Sequence, residues 1–146
     1  MRFPILPAIL LGALLAAAVP AAAASASGAA VNLANPGQAV PDLKAYLGRG
    51  QTTIVDFYSE FCPPCRRISP LLEKLGQKRS DLKVVKLDIN RPEVKGIDWQ
   101  SPLAQQFALR SIPHFKIYDG SGRLLQEGDG AYQQVVTWLK AEKLDQ

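Results

Sequence analysis

The sequence is poor in the residues that build metal sites and disulfide scaffolds, with 2 Cys, 1 His and 1 Met among 146 residues. Two cysteines cannot form a multi-bridge framework, and with one histidine they cannot supply the four ligands of a structural zinc site. Basic residues outnumber acidic ones only by 17 to 13 and are dispersed along the chain, which argues against nucleic-acid binding. A nicotinamide fingerprint and a phosphate-binding glycine loop are also missing, so we expect no bound cofactor. What remains is a globular composition, 47% hydrophobic, at the length of one domain.

The first 26 residues have the pattern of an export signal. Arg2 is followed by the apolar run Phe3–Val19 and then by small A-x-A triplets within residues 22–26. Cleavage after this stretch predicts a periplasmic or otherwise exported protein, in a compartment that permits disulfides. The alternative is an uncleaved membrane anchor, which Pro4 and Pro7 disfavour, as does an apolar core shorter than the roughly 20 residues that a bilayer requires. Residues 27–37 are predicted to form a lead segment and residues 38–146 the folded domain.

The remaining sequence predicts an α/β fold in which helices and strands alternate. Parallel strand pairs are expected wherever a helix connects two strands, and the last two strands form an antiparallel hairpin at a sheet edge. This gives a central mixed sheet of about four to five strands flanked by helices. The predicted helices are Pro41–Leu47, Pro63–Arg79, Ser101–Leu109 and Tyr132–Leu144, and the predicted strands are Thr52–Tyr58, Leu82–Ile89, His114–Tyr118 and Arg123–Glu127.

Both cysteines lie in one short motif, Cys62-Pro63-Pro64-Cys65, where the first strand gives way to a helix. A thiol at a helix N-terminus faces unpaired N–H groups and the positive end of the dipole, which favours the thiolate. Cys62 is therefore predicted as the exposed nucleophile and Cys65 as the shielded resolving thiol. Arg66 adds positive charge and is predicted to modulate the pair.

Three other interpretations of the motif are weaker than redox chemistry. A structural disulfide closing so short a loop removes little entropy from the unfolded chain. Half of a zinc site lacks further ligands, since His114 is the only histidine. A copper(I) carrier favours methionine ligands, and the only Met is the initiator.

An acid lies in the middle of the apolar strand that leads to the motif. Burial should raise the pKa of Asp56, which would let it accept and return the proton of Cys65 during exchange. The alternative is a solvent-facing Asp at a strand end. Lys86, in the middle of the next strand, is a candidate modulator of Asp56, although a solvent-facing lysine fits that position almost as well.

The segment from Ile54 to Arg66 resembles the active-site segment of thioredoxins. The resemblance extends to the helix-kinking Pro70 and to Ser111-Ile112-Pro113, and it covers roughly residues 38–145. It implies the thioredoxin fold, a cis bond before Pro113, and a redox-active disulfide that works without a cofactor. It also implies that substrates bind at Ile112 and Pro113 and around the motif, at Phe61, Pro63 and Pro64.

Several positions depart from the family pattern. Phe61 replaces the usual Trp before the first cysteine, and His114 replaces a small polar residue after the proline. His114 is either a pH-sensitive substrate contact or an ordinary strand-end histidine. The connection Pro92–Gln100 is longer than in compact relatives, and its Trp99 is predicted to cover the core rather than to bind substrate.

These features predict an exported protein-disulfide reductase that acts on protein substrates as a monomer. A membrane-embedded thiol donor is expected to supply its electrons. Two alternatives remain: a specialised reductant of apocytochrome c thiols, and a non-redox module that binds peptides during assembly. Replacing Cys62 separates the redox functions from the last alternative, because only the peptide-binding module would keep its function.

Overall fold

A computed structural model describes residues 30–32 and 36–145, so the predicted export signal lies outside the described residues. The chain forms strands β1 to β5 and helices α1 to α3, with one 3-10 turn at Leu43–Tyr46 after β1. The strands are β1 (Val31–Asn32), β2 (Thr52–Tyr58), β3 (Leu82–Asp88), β4 (His114–Tyr118) and β5 (Leu124–Glu127), and the helices are α1 (Pro63–Lys78), α2 (Pro102–Gln106) and α3 (Gly128–Ala141). Within these described ranges, no helix is long and apolar enough to cross a bilayer.

The five strands form one mixed sheet in the order β1-β3-β2-β4-β5. β1 and β2 each pair with β3 in parallel, whereas β4 is antiparallel to both β2 and β5. This confirms the predicted mixed α/β sheet with an antiparallel hairpin at one edge. β1 was not predicted: it lies inside the expected lead segment, and two exposed residues carry no strand pattern of their own.

Hydrophobic side chains cover both faces of the sheet because residues along each strand alternate between them. On one face, Ile54 packs against α1 and α3 through residues such as Leu72 and Val135. On the other face, Val55 and Phe57 belong to a second cluster with α2. Asp56 shares the face of Ile54 and therefore points toward α1.

Three of the predicted helices have other bounds in the structure. The first helix is only a 3-10 turn, with Asp42 accepting an N–H bond from Lys44 at its start. Helix α2 ends at Gln106, and the chain then turns sharply at Ala108, whose φ is +48°. Helix α3 begins four residues earlier than predicted, at Gly128, and ends at Ala141 because Lys143 takes a left-handed conformation.

Candidate active site

The two cysteines form a disulfide at the N-terminus of α1, with their Cα atoms 5.3 Å apart. Cys62 is the residue that caps the helix, and its Sγ accepts a bond from the backbone N–H of Cys65 at 3.2 Å. Pro63 and Pro64 occupy the first helical positions and have no N–H to offer. The next N–H, that of Arg66, is bonded to the carbonyl oxygen of Cys62. The helix end therefore directs one backbone donor at the sulfur.

The prediction that Cys62 is exposed was wrong, because only 2% of its surface is accessible. Capping turns the sulfur inward over the helix end, where it lies 3.6 Å from the carbonyl oxygen of Ile112. The accessible surface around the disulfide belongs instead to Phe61, Pro63 and Pro64. Cys65 is 1% exposed and is shielded as predicted.

The segment before β4 forms the wall facing the disulfide. The Ile112–Pro113 peptide bond is cis, as the resemblance to thioredoxins implied. Both residues are half-buried, and His114 follows as the first residue of β4, in register with Phe57 of β2. This pairing places the proline segment at the end of β2 that leads to Cys62.

Asp56 is fully buried on the strand that leads to the disulfide. The hydroxyl of Ser69 donates a 2.6 Å hydrogen bond to its Oδ2, whereas its Oδ1 has no hydrogen-bond partner among the described residues. Burial raises the pKa of Asp56 to about 7, although Ser69 and Lys86 each lower it in part. The predicted rise is confirmed, and a carboxyl that titrates near neutrality can both accept and return a proton at physiological pH.

Lys86 is the register neighbour of Asp56 on β3 and is itself buried, with 8% of its surface accessible. Its ammonium group bonds to the Glu73 carboxylate at 2.5 Å and lies 4.7 Å from the centre of the Tyr58 ring. The charge of Lys86 lowers the Asp56 pKa, while that of Glu73 raises it.

Two of these groups, Ser69 and Glu73, were not identified from the sequence. They follow Cys65 at intervals of four residues, and such spacing places side chains on one side of a helix. That periodicity is the sequence signal that would have indicated them. Arg66, by contrast, is exposed and forms no salt bridge with any residue that the structure describes.

His114 and Trp99, which the sequence left with two interpretations each, both pack against the hydrophobic core. His114 is half-buried with its ring 5.9 Å from that of Phe57, and burial, followed by the charge of Lys116, lowers its pKa. Trp99 packs partly buried against the core cluster that contains Phe57, as predicted for a residue covering the core. It also borders a cleft of about 340 Å³ whose rim includes Arg110.

The assembled groups suit proton-coupled thiol exchange. The N-terminus of α1 supplies the disulfide, and the segment before β4 supplies the backbone next to it. Strand β2 supplies Asp56, a buried carboxyl that titrates near neutrality. No cluster of three His, Cys, Asp or Glu side chains able to hold a metal ion occurs in residues 30–32 and 36–145.

The stretch of sequence that contains Asp56, Cys62 and Cys65 is similar to known proteins. Residues 42–141 match the family model described as thioredoxin. The chain is 32% identical over 98 residues to a chloroplastic thioredoxin F-type of Mesembryanthemum crystallinum, covering 66% of this chain but 47% of that protein. It is 29% identical over 98 residues to thioredoxin 1 of Plasmodium falciparum, covering 65% of this chain and 86% of that one. The chain thus spans about half the length of the chloroplast relative and most of the Plasmodium one.

Solved structures show the same similarity. The crystal structure of thioredoxin F from spinach chloroplast, in its short form, aligns with a TM-score of 0.55 at 25% identity, covering 82% of this chain and 97% of that chain. Thioredoxin f2 of Chlamydomonas reinhardtii aligns with a TM-score of 0.53 at 25% identity, covering 80% and 98%.

Proposed function

Because the chain belongs to the thioredoxin family, we propose that it is a protein thiol-disulfide oxidoreductase acting mainly as a reductase. The observation that carries the proposal is the Cys62–Cys65 disulfide at a helix N-terminus, with Asp56 buried on the strand before it. A disulfide that served only as a structural bridge would need neither the buried acid nor the facing backbone of Ile112.

The reaction follows from the positions of the groups. In the reduced protein, the Cys62 thiolate attacks one sulfur of a substrate disulfide, forming a mixed disulfide and releasing the other substrate sulfur as a thiolate. The Cys65 thiol then gives its proton to Asp56 and attacks the Cys62 sulfur. This step forms the Cys62–Cys65 disulfide and releases the second substrate sulfur as a thiolate, which takes up a proton from Asp56 or water, so two electrons pass to the substrate.

Substrates are proposed to dock on the surface around the disulfide. Phe61, Pro63 and Pro64 are exposed there, and Ile112 presents its carbonyl oxygen toward Cys62. An extended substrate segment lying along Ile112 and Pro113 would bring its own disulfide against the Cys62 sulfur. Because Cys62 is almost fully covered, we expect exchange to be faster with a segment that fits this surface than with a small disulfide.

The direction of exchange depends on how strongly the protein stabilises the Cys62 thiolate. No histidine lies between the cysteines, and Pro63 and Pro64 leave a single backbone N–H on the sulfur. We therefore expect a reducing to intermediate potential. Family members range from roughly −270 mV for thioredoxin to −120 mV for the strong periplasmic oxidant, and a value above about −150 mV in glutathione buffers would refute the reductase assignment.

The site of action is proposed to be an exported compartment, supported by the composition of residues 1–26. Re-reduction there is proposed to depend on a membrane-embedded thiol donor, with the protein acting as a monomer. Cell fractionation, together with the mass of the mature chain, tests the first point, and an intact N-terminus in the cytoplasmic fraction would contradict it.

Trapping of substrates tests the proposed activity directly. Cys65→Ser should accumulate mixed disulfides on Cys62 that dithiothreitol releases, because the resolving thiol is gone. Cys62→Ser is the matched control and should trap nothing and reduce no insulin. If Cys62→Ser retained full function in cells, the chain would be a peptide-binding module and the redox proposal would be wrong.

A further inference from the structure

One ammonium group lies within reach of two carboxyl groups in this protein. Lys86 and Asp56 are register partners on parallel strands, so their side chains leave the sheet on the same face. Yet Lys86 forms its salt bridge with Glu73 of α1 and none with Asp56 in the part of the chain that the structure describes. Asp56 is left with one hydrogen bond, from Ser69, and with Oδ1 unpartnered.

Because Lys86 pairs with Glu73 and not with Asp56, Asp56 has no cation in contact with it, and this affects whether it carries a charge. A fully buried carboxylate without a cation is costly, so the carboxyl holds its proton up to near-neutral pH. An ammonium group in contact would reverse that preference and leave a paired carboxylate that binds protons weakly. Glu73 has 37% of its side chain exposed and can carry its own charge at low cost, whereas the Lys86 side chain is only 10% exposed.

We propose that Glu73 is a positioning residue for the exchange reaction, because by holding the Lys86 ammonium it leaves Asp56 without a cationic partner and able to exchange a proton with Cys65. The inference rests on the proposed thiol-disulfide exchange and adds a residue to its machinery. Glu73 touches neither substrate nor sulfur and acts only through Lys86.

The other groups around Asp56 do not duplicate this role. Ser69 is neutral, and Tyr58 offers its ring face to Lys86 rather than a charge to Asp56. From β4 and α3, the side chains packed on this face are apolar or aromatic, among them Phe115 and Val135, and none is an acid or a base. The groups that face Asp56 are Ser69 and Glu73 on α1, Lys86 on β3, Tyr58 on β2 and Phe115 on β4. Tyr132 of α3 stacks on the far side of this group, against Phe115.

The test measures the titration of the Asp56 carboxyl by ¹³C NMR in the oxidised protein, together with the pH profile of insulin reduction. Glu73→Gln removes the competing anion and frees Lys86, so the Asp56 midpoint should fall by about one pH unit or more. The rate profile should move to lower pH by a similar amount. Glu142→Gln is the matched control: it removes a carboxylate paired with Lys78 of the same helix and should move neither curve.

A double variant separates the route through Lys86 from a direct effect of the Glu73 charge. In the Lys86→Met background, Glu73→Gln should lower the midpoint by less than half as much as it does alone. An equal shift in both backgrounds, or an unchanged or raised midpoint in Glu73→Gln, overturns the inference. A shifted midpoint with an unchanged rate profile also overturns it, because Asp56 would then not limit exchange.

These results are distinguishable from a failure of the proposed function. If the wild-type protein reduced no disulfide at any pH, the exchange proposal would be refuted whatever the NMR titration showed. If it reduced disulfides normally but Glu73→Gln behaved as wild type, only the role of Glu73 would be refuted.

Discussion

Replacing Asp56 by asparagine should stabilise the oxidised protein at high pH and much less at low pH. The carboxyl is fully buried, one of its oxygens has no hydrogen-bond partner, and burial raises its pKa to about 7. Because the folded protein binds this proton more tightly than the unfolded chain does, the group costs no stability below the unfolded pKa of 3.8. The free energy of unfolding then falls between pH 3.8 and about 7, where the unfolded chain has lost this proton and the folded protein still holds it, and it levels off above pH 7.

The size of the effect follows from the difference between the two pKa values. They differ by about 3 pH units, and each unit corresponds to about 1.4 kcal/mol, so ionisation removes about 4 kcal/mol of stability above neutrality. The asparagine NH₂ group introduces a buried donor whose cost, about 1–3 kcal/mol if it finds no partner, is the same at every pH. The difference between pH 4 and pH 8.5 therefore isolates the ionisation of Asp56.

Urea unfolding of both proteins at these two pH values measures that difference, with the disulfide kept intact so that no thiol titrates. Relative to wild type, Asp56→Asn should gain about 4 kcal/mol more at pH 8.5 than at pH 4. Asp98→Asn is the informative control: Asp98 is also buried, but Arg91 lowers its pKa, so its loss should be more harmful at high pH. A gain for Asp56→Asn that was equal at both pH values would refute the argument that Asp56 is a buried, proton-binding group.

Three further predictions concern the surroundings of the site. Because burial and the charge of Lys116 lower the pKa of His114, its ring should titrate below pH 6.5 by ¹H NMR, and a midpoint above 6.5 would contradict this. The variant His114→Gln should leave the exchange rate above pH 7 unchanged. Leu72→Ala, on the buried face of α1, should lower the free energy of unfolding in urea by about 2–5 kcal/mol. Leu124 is exposed, so Leu124→Ala should change it by no more than about 0.5 kcal/mol. Phe61→Ala should raise KM for protein substrates several-fold with an unchanged Tm, and an unchanged KM would remove Phe61 from the docking surface.

The sequence predicted the elements whose pattern is local and strong. β2 was predicted at its observed bounds, and α1 and β3 within one residue, because continuous apolar or amphipathic runs mark them. β1 could not be predicted, since two residues become a strand only by pairing with β3. The start of α3 was missed because Gly128 and Gly130 disfavour a helix locally, and packing against β4 overrides that preference.

The sequence indicated a site residue where a charged side chain interrupts an apolar strand. It did not indicate which side chains pair with each other in the folded protein. An acid within an apolar strand indicated Asp56 and the direction of its pKa shift. That Lys86 pairs with Glu73 rather than with its register neighbour depends on how α1 lies across the sheet, which no local pattern records. The burial of Cys62 likewise depends on the segment around Ile112, fifty residues away in sequence.

The reversal of one strand explains how that distant segment reaches the disulfide. Cys62 follows the carboxyl end of β2. The segment Ile112–Pro113, which precedes β4, lies at this same end of the sheet only because β4 runs antiparallel to β2, with His114 opposite Phe57. If β4 ran parallel to β2, Pro113 would lie at the other end of the strands, too far from the Cys62 sulfur to contact it. The parallel neighbour β3 brings Lys86 beside Asp56 by the same reasoning, because partners in register share a face. The mixed sheet thus gives the central strand a proline segment from one side and a lysine from the other, and α1 supplies the sulfurs and the carboxylate of Glu73 that holds the lysine.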